Sequence, residues 1–320
     1  MTEINKNNGD VLCLNNHDGV KFQNLDLYVI GRIIWKRRMF VGLFVVIAIV
    51  LGALFSFTLP NVYKSEATLI SNAHEQSSNS LKSLAGSLSG FASLAGVDLG
   101  GGGTDKTAYA LEILKSREFI YKFIDKYDLK PSIFAASGWN DTDNKLLFDE
   151  ALFDTKKNSW LSDAHSNSYK EPSIHEVYEH FLKHNFSVTK NEKTGVVKLS
   201  ITHFSPKVAK FIVDRLVVDL NTTIKIQDMV DAENSIKYLT KELNETTFSG
   251  LKSTFYTLIE QQHQTLMLTK VREQYAFKVI DKAVVPYKKS GPKRGLIIIG
   301  FTILGIALSI IITLIRERVS

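Results

Sequence analysis

The sequence predicts an α+β fold in which two transmembrane helices flank one large extramembrane domain. Three observations predict it. Two stretches of 21 residues, Met39–Leu59 and Gly295–Ile315, contain no charged residue, and each approaches the roughly 20 residues a helix needs to cross a bilayer core. Between them, segments that alternate in period two recur as strands half buried in a sheet would. From Pro206 to about Tyr275 the chain has no proline and one glycine, Gly250, which leaves room for helix well beyond the usual length.

Averages conceal this organisation. The 320 residues are 44% hydrophobic and 22% charged with a mean hydropathy of −0.02, values of an ordinary soluble protein. The distribution instead divides the chain into a tail at 1–38, a span at 39–59, an outer domain at 60–294, a second span at 295–315 and a tail at 316–320. Cys13 is the only cysteine, which excludes an intrachain disulfide or a cysteine-based metal site.

Arg32, Lys36, Arg37 and Arg38 precede the first span and only Lys64 follows closely, so the positive-inside rule puts the N-terminus in the cytoplasm and the outer domain across the membrane. The second span has Lys288, Lys289, Lys293 and Arg294 before it and Arg316 and Arg318 after it. Alone it points the other way, but the first helix usually decides. A 38-residue leader and a 21-residue apolar run are too long for a cleaved signal peptide, which makes the first span an anchor. The outer domain carries 31 Lys+Arg and 28 Asp+Glu. Its basic clusters flank the spans, where membrane lipids are the natural partner, so no nucleic-acid role is expected.

Within the outer domain, Val62–Ile70 alternates as a strand. Residues 71–103 are rich in Ser, Gly, Asn and Ala and end in four glycines, Gly100–Gly103; they predict no regular structure. Thr104 or Asp105 caps a helix carrying Leu111, Leu114, Phe119, Ile120 and Phe123 that ends near Lys130, before Pro131. Short helices or loops fill 132–172, and Ser173–Lys183 resumes helix. Phe186–Thr189 and Val196–His203 form a hairpin. Ser205 caps the next helix and Pro206 takes its first position, where a missing N–H costs nothing. The helical region then runs over about 206–275 with a break at Gly250 and packs against another helix or another subunit. Phe277–Val285 returns as the last strand.

This order, with LPNVYKSEATL after the first span, TDKTAYALEILKSREF at 104–119, GVVKLSITHFSP at 195–206 and VIDKAVVPYKKSGPKRGLI at 279–297, resembles the polysaccharide co-polymerases, the Wzz-type O-antigen chain-length determinant family. The last stretch is the juxtamembrane family motif, here Pro286, Pro292, Lys293 and Arg294, with Lys289 where the family usually has a further proline. The resemblance implies a periplasmic domain with a membrane-proximal α/β base and long protruding helices, assembled as a ring-like homo-oligomer in the bacterial inner membrane. It implies a non-catalytic regulator that sets the length of lipopolysaccharide O-antigen or a related lipid-linked glycan together with the O-antigen polymerase. No catalytic residues and no cofactor carry over. The alternative is a two-span periplasmic sensor or export adaptor, which needs a cytoplasmic output module that neither tail can fold into.

Other patterns weaken on inspection. Gly100–Lys106 lacks the Gly-Lys-Ser/Thr order of a phosphate-binding loop. His175, His180 and His184 sit near Glu176 and Glu179 but form no HExxH, and Asp214 with Asp219 does not define a glycosidase; no metal site and no active site are expected. Ala48, Gly52 and Ser56 in the first span, and Gly305, Ser309 and Thr313 in the second, form small-residue stripes of the kind that let helices approach closely. Counting from the cytoplasmic ends places Ala48 and Gly52 at depths overlapping Gly305 and Ser309, so the two helices are expected to pack there. Lys288, Lys289, Lys293 and Arg294 read first as interfacial anchors, and second as contacts to a glycan-lipid pyrophosphate.

Overall fold

A computed structural model describes residues 38–72, 106–161 and 171–319. Cys13, Arg32, Lys36, Arg37, the glycine run and the candidate caps Thr104 and Asp105 lie outside the described residues. The chain divides into two compact units, the terminal segments 1–56 with 294–320 and the intervening 57–293.

The first unit holds α1 (Arg38–Thr58) and the last helix, which spans Arg294–Val319. Both are long and apolar enough to cross a membrane. The last helix continues to Val319 rather than ending at Ile315, because nothing after Ile315 breaks it: Arg316, Glu317 and Arg318 are good helix formers.

The second unit is a four-stranded sheet covered by helices. β1 (Tyr63–Ser71) starts one residue later than the alternation predicts and turns Tyr63, Ser65, Ala67, Leu69 and Ser71 inward. Lys106–Lys115 (α2) and Arg117–Lys126 (α3) replace the single predicted helix. Ser116 breaks it: its Oγ accepts from the Phe119 N–H and so caps α3, the role for which serine competes with helix continuation. α3 ends at Lys126 rather than near Lys130, and Asp128 takes a φ of 46° just beyond it.

In the described part of 132–172, at 132–161, the predicted helices or loops are instead a π-helical turn at Pro131–Ala135 and two small hairpins, β2 (Ala136–Asn140) with β3 (Lys145–Phe148) and β4 (Phe153–Asp154) with β5 (Ser159–Trp160). Asn140 Oδ1 accepts from the backbone of Thr142 and Asp143 and Asn144 adopts a φ of 52°, a turn only such residues form readily. α4 (Ile174–His180) begins with a reciprocal Ser173–Glu176 capping box and passes into a π-helical turn at Phe181–Asn185.

β6 (Phe186–Lys190) and β7 (Val196–His203) form the predicted hairpin. α5 (Pro206–Glu245) starts where the sequence indicates, with Ser205 Oγ accepting from Val208 N–H and Pro206 at the first position. At 1.5 Å per residue its 40 residues extend about 60 Å. α6 (Ser249–Val271) follows and packs along it. The break falls at 246–248 and not at Gly250, which lies inside α6. β8 (Phe277–Asp281) stops short of Val285. With the final helix, α7 (Arg294–Val319), the element order is complete.

The sheet order is β6-β7-β1-β8, antiparallel throughout. Val197, Leu199 and Ile201 of β7 and Leu69 of β1 meet Ile212, Val213, Leu216 and Leu220 of α5, with Phe119, Ile120, Phe123 and Ile124 of α3 completing the core. Each such side chain contributes about 1.5–3 kcal/mol by leaving water. The first half of α5 is thus anchored in the core. Its second half is paired mainly with α6 and leaves Val230 and Tyr238 exposed.

Two buried polar residues fix the frame. Asn221 accepts from Ala276 N–H (2.8 Å) and Phe277 N–H (2.9 Å) and donates to Phe277 C=O and Val217 C=O (both 3.1 Å), so one side chain pairs α5 with β8 as a strand would. His203, at the end of β7, accepts at Nδ1 from Ser205 N–H (3.0 Å), which leaves Nε2 to donate to Ser132 C=O (2.7 Å). Burial holds its pKa below the usual histidine range. Because the folded value lies below the unfolded one near 6.5, stability is full above that pH and falls as acid protonates the unfolded chain preferentially. Chemical unfolding in detergent is expected to show the midpoint dropping from pH 7 to pH 5, with a shallower slope in His203→Gln.

Candidate functional site

Within the first unit, α1 and α7 run antiparallel with Ala48 against Gly305 and Gly52 against Phe301. A Cβ built on Gly52 would lie 2.8 Å from Phe301 Cβ, and one built on Gly305 would collide with Ala48 Cβ. Both positions therefore admit only glycine without movement. Of the four positions expected at overlapping depths, Ala48 and Gly305 face each other, while Gly52 lies against Phe301. Ser56, Ser309 and Thr313 are also buried. Ser309 Oγ and Thr313 Oγ1 donate to carbonyls of their own helix, at 2.8 and 2.6 Å, while Ser56 Oγ has no partner among the described residues. The stripes thus act through size rather than through hydrogen bonds across the seam.

In the second unit the juxtamembrane motif is part of a backbone clasp. Val62 N–H donates to Gly291 C=O (3.1 Å), and Ser290 N–H (2.8 Å) and Gly291 N–H (3.3 Å) donate back to Val62 C=O. Ser65 Oγ donates to Val284 C=O at 2.8 Å. A Cβ on Gly291 would stand 3.0 Å from Val62 Cγ2, so the close approach needs this glycine. The clasp joins the two ends of the unit. Pro286 and Pro292 are half-buried in it and Lys293 is exposed; Pro292 follows a cis peptide bond. Val62, Ser65, Ser290 and Gly291 were not singled out from sequence, and the only signal was the Ser-Gly-Pro order at 290–292.

The remaining candidates are absorbed structurally. Asp214 pairs with Lys210, and Asp219 binds Lys126 (2.8 Å) and Tyr127 OH (3.2 Å). His175 pairs with Glu179 at 3.3 Å. His180 is not a solvated residue as expected: it packs on Phe134, and burial followed by the neighbouring His184 lowers its pKa. Among the described residues no three His, Cys, Asp or Glu side chains gather as a metal site. Two open grooves of about 300 and 350 Å³ lie among the described residues.

Two family models match the chain. Residues 23–127, which take in α1, β1, α2 and α3, match the Wzz model, "Chain length determinant protein". Residues 250–318, from α6 through the clasp into α7, match the GNVR model, "G-rich domain on putative tyrosine kinase". The chain therefore carries a Wzz chain-length determinant segment and a GNVR segment. Family members are regulators of polysaccharide assembly and not catalysts, and they form oligomers. Its two apolar helices and the Wzz match together point to an inner-membrane protein.

No curated protein matches the sequence significantly. Among solved structures it is similar to a full-length bacterial polysaccharide co-polymerase at 12% identity, covering 93% of this chain and 98% of that one with a TM-score of 0.35. It is also similar to a fragment of WzzB, a polysaccharide co-polymerase from Salmonella Typhimurium, at 12% identity, covering 72% and 100% with a TM-score of 0.29.

Proposed function

We propose that this chain sets the modal length of lipopolysaccharide O-antigen or a related lipid-linked glycan. It acts as a ring-like homo-oligomeric scaffold beside the polysaccharide polymerase, with residues 60–294 on the periplasmic side. The observation that carries this reading is the chain-length determinant match over residues 23–127. The orientation rests on the basic residues before α1. The Ala48–Gly305 seam holds the spans together, and the clasp at Val62 and Gly291 fixes where the outer domain begins and ends.

The test is the lipopolysaccharide ladder of a strain deleted for the gene and of the same strain complemented with it. A modal cluster that disappears on deletion and returns on complementation is expected. Identical ladders would move the role to another glycan or to the sensor and adaptor class.

A further inference from the structure

The first turns of α5 expose Lys207, Phe211, Arg215 and Val218, which, at steps of four, four and three residues, share one helix face. Val285 lines the same groove as these side chains, so the segment after β8 lies alongside that face. This segment leaves Val284, Val285 and Tyr287 exposed, Tyr287 at 96%, and exposed Lys288 and Lys289 follow. An apolar patch is thereby rimmed by cations. Lys210 is neutralised by Asp214, but among the described residues no carboxylate pairs with Lys207, Arg215, Lys288 or Lys289. The Arg215 guanidinium lies 5.5 Å from the Phe211 ring centre and 5.8 Å from that of Tyr127, which orients it while leaving its donors without an anion.

The position of this face narrows the choice of occupant. β1 begins at Tyr63, paired with His203, two residues before the Ser205 cap of α5, and Val62 is clasped to Gly291. Both ends of the outer unit therefore lie beside the start of α5. Thr58 ends α1 and Arg294 begins α7. The chain from Thr58 to Tyr63 reaches at most about 18 Å and that from Gly291 to Arg294 about 11 Å. Tethers this short keep the start of α5 within reach of the bilayer, and exposed Tyr, Phe and Val with unpaired Lys and Arg match the interface of an anionic bilayer.

We propose that the face formed by Lys207, Phe211, Arg215, Val218, Val285 and Tyr287 docks on the headgroup layer of an anionic bilayer, giving the outer domain a membrane contact in addition to its two spans. The docked face fixes the tilt of α5, and through it the direction of the α5–α6 pair. This rests on the reading of α1 and α7 as membrane spans and is independent of which glycan is regulated.

The test uses the full chain with Cys13→Ser and one new cysteine, Phe211→Cys, Tyr287→Cys or Tyr238→Cys, carrying a fluorophore. Each is reconstituted in nanodiscs of phosphatidylglycerol and phosphatidylcholine doped with a lipid bearing a nitroxide on its headgroup. Position 211 decides, because 287 is held near lipid by the chain itself. Loss of most of the fluorescence at 211 and 287, with 238 unchanged, is expected; the loss at 211 shrinks when phosphatidylglycerol is omitted or when Lys207→Gln and Arg215→Gln are combined. A bright label at 211 that aqueous iodide quenches freely overturns the proposal. A label at 211 shielded from both quenchers also overturns it, since a second copy or another protein then covers the face. The glycan ladder does not enter the readout, so failure here leaves length control standing.

Discussion

Asn221→Leu is expected to destabilise the outer unit by about 3–5 kcal/mol, because it strands buried backbone groups at roughly 1–3 kcal/mol each. The groups are Ala276 N–H, Phe277 N–H and Phe277 C=O, all served by this one amide. Leucine nearly matches asparagine in size but offers no donor or acceptor. The effect reaches beyond one position, since β8 is an edge strand held on its other side only by β1. Loss of Asn221 therefore frees the strand that leads into the clasp. Thermal unfolding of the full chain in detergent checks this against Thr222→Ala, a neighbouring exposed residue, for which a change within about 0.5 kcal/mol is expected. Equal effects at the two positions would contradict the assigned role.

The second large effect is expected at the membrane seam. Gly305→Leu forces side-chain atoms into Ala48 on the facing helix, and overpacking of this kind typically costs about 1–3 kcal/mol. In the cell the predicted result is normal membrane insertion with weaker oligomerisation and a broadened glycan ladder. Gly300→Leu supplies the control, because a Cβ there meets nothing within 4 Å. The ladder and crosslinked oligomers on a gel separate the two substitutions. A wild-type ladder and wild-type oligomers with Gly305→Leu would remove the seam from the account.

The parts of this fold legible in sequence are those where side-chain chemistry repeats. Absence of charge marked both spans, alternation marked β1, β6 and β7, and Ser205–Pro206 marked the start of α5. Ser116 was hidden because the residues on both sides of it continue the same apolar period, and only its cap to Phe119 N–H reveals the break. The hairpins at 136–160 were hidden because strands of two to five residues are too short to show a period. Asn221 resembles any polar residue of a long helix until β8 arrives 56 residues later. The seam stripes were visible as small residues, but the partner of Gly52 was not, since helix offset is set by packing and not by counting from the ends. The clasp was the least legible element. Its bonds join backbone to backbone at Val62, Ser290 and Gly291, and backbone pairing leaves little trace in side-chain type.

If the chain sets glycan length, it changes the length distribution of a glycan that another protein polymerises. The most direct measurement is reconstitution of the polymerase with lipid-linked repeat units in proteoliposomes, with and without the purified full chain. The polymerase alone is expected to give a broad distribution and the added chain to gather the products around one modal length, while the chain without polymerase yields no polymer. An unchanged distribution in the presence of correctly inserted, oligomeric chain would contradict length control.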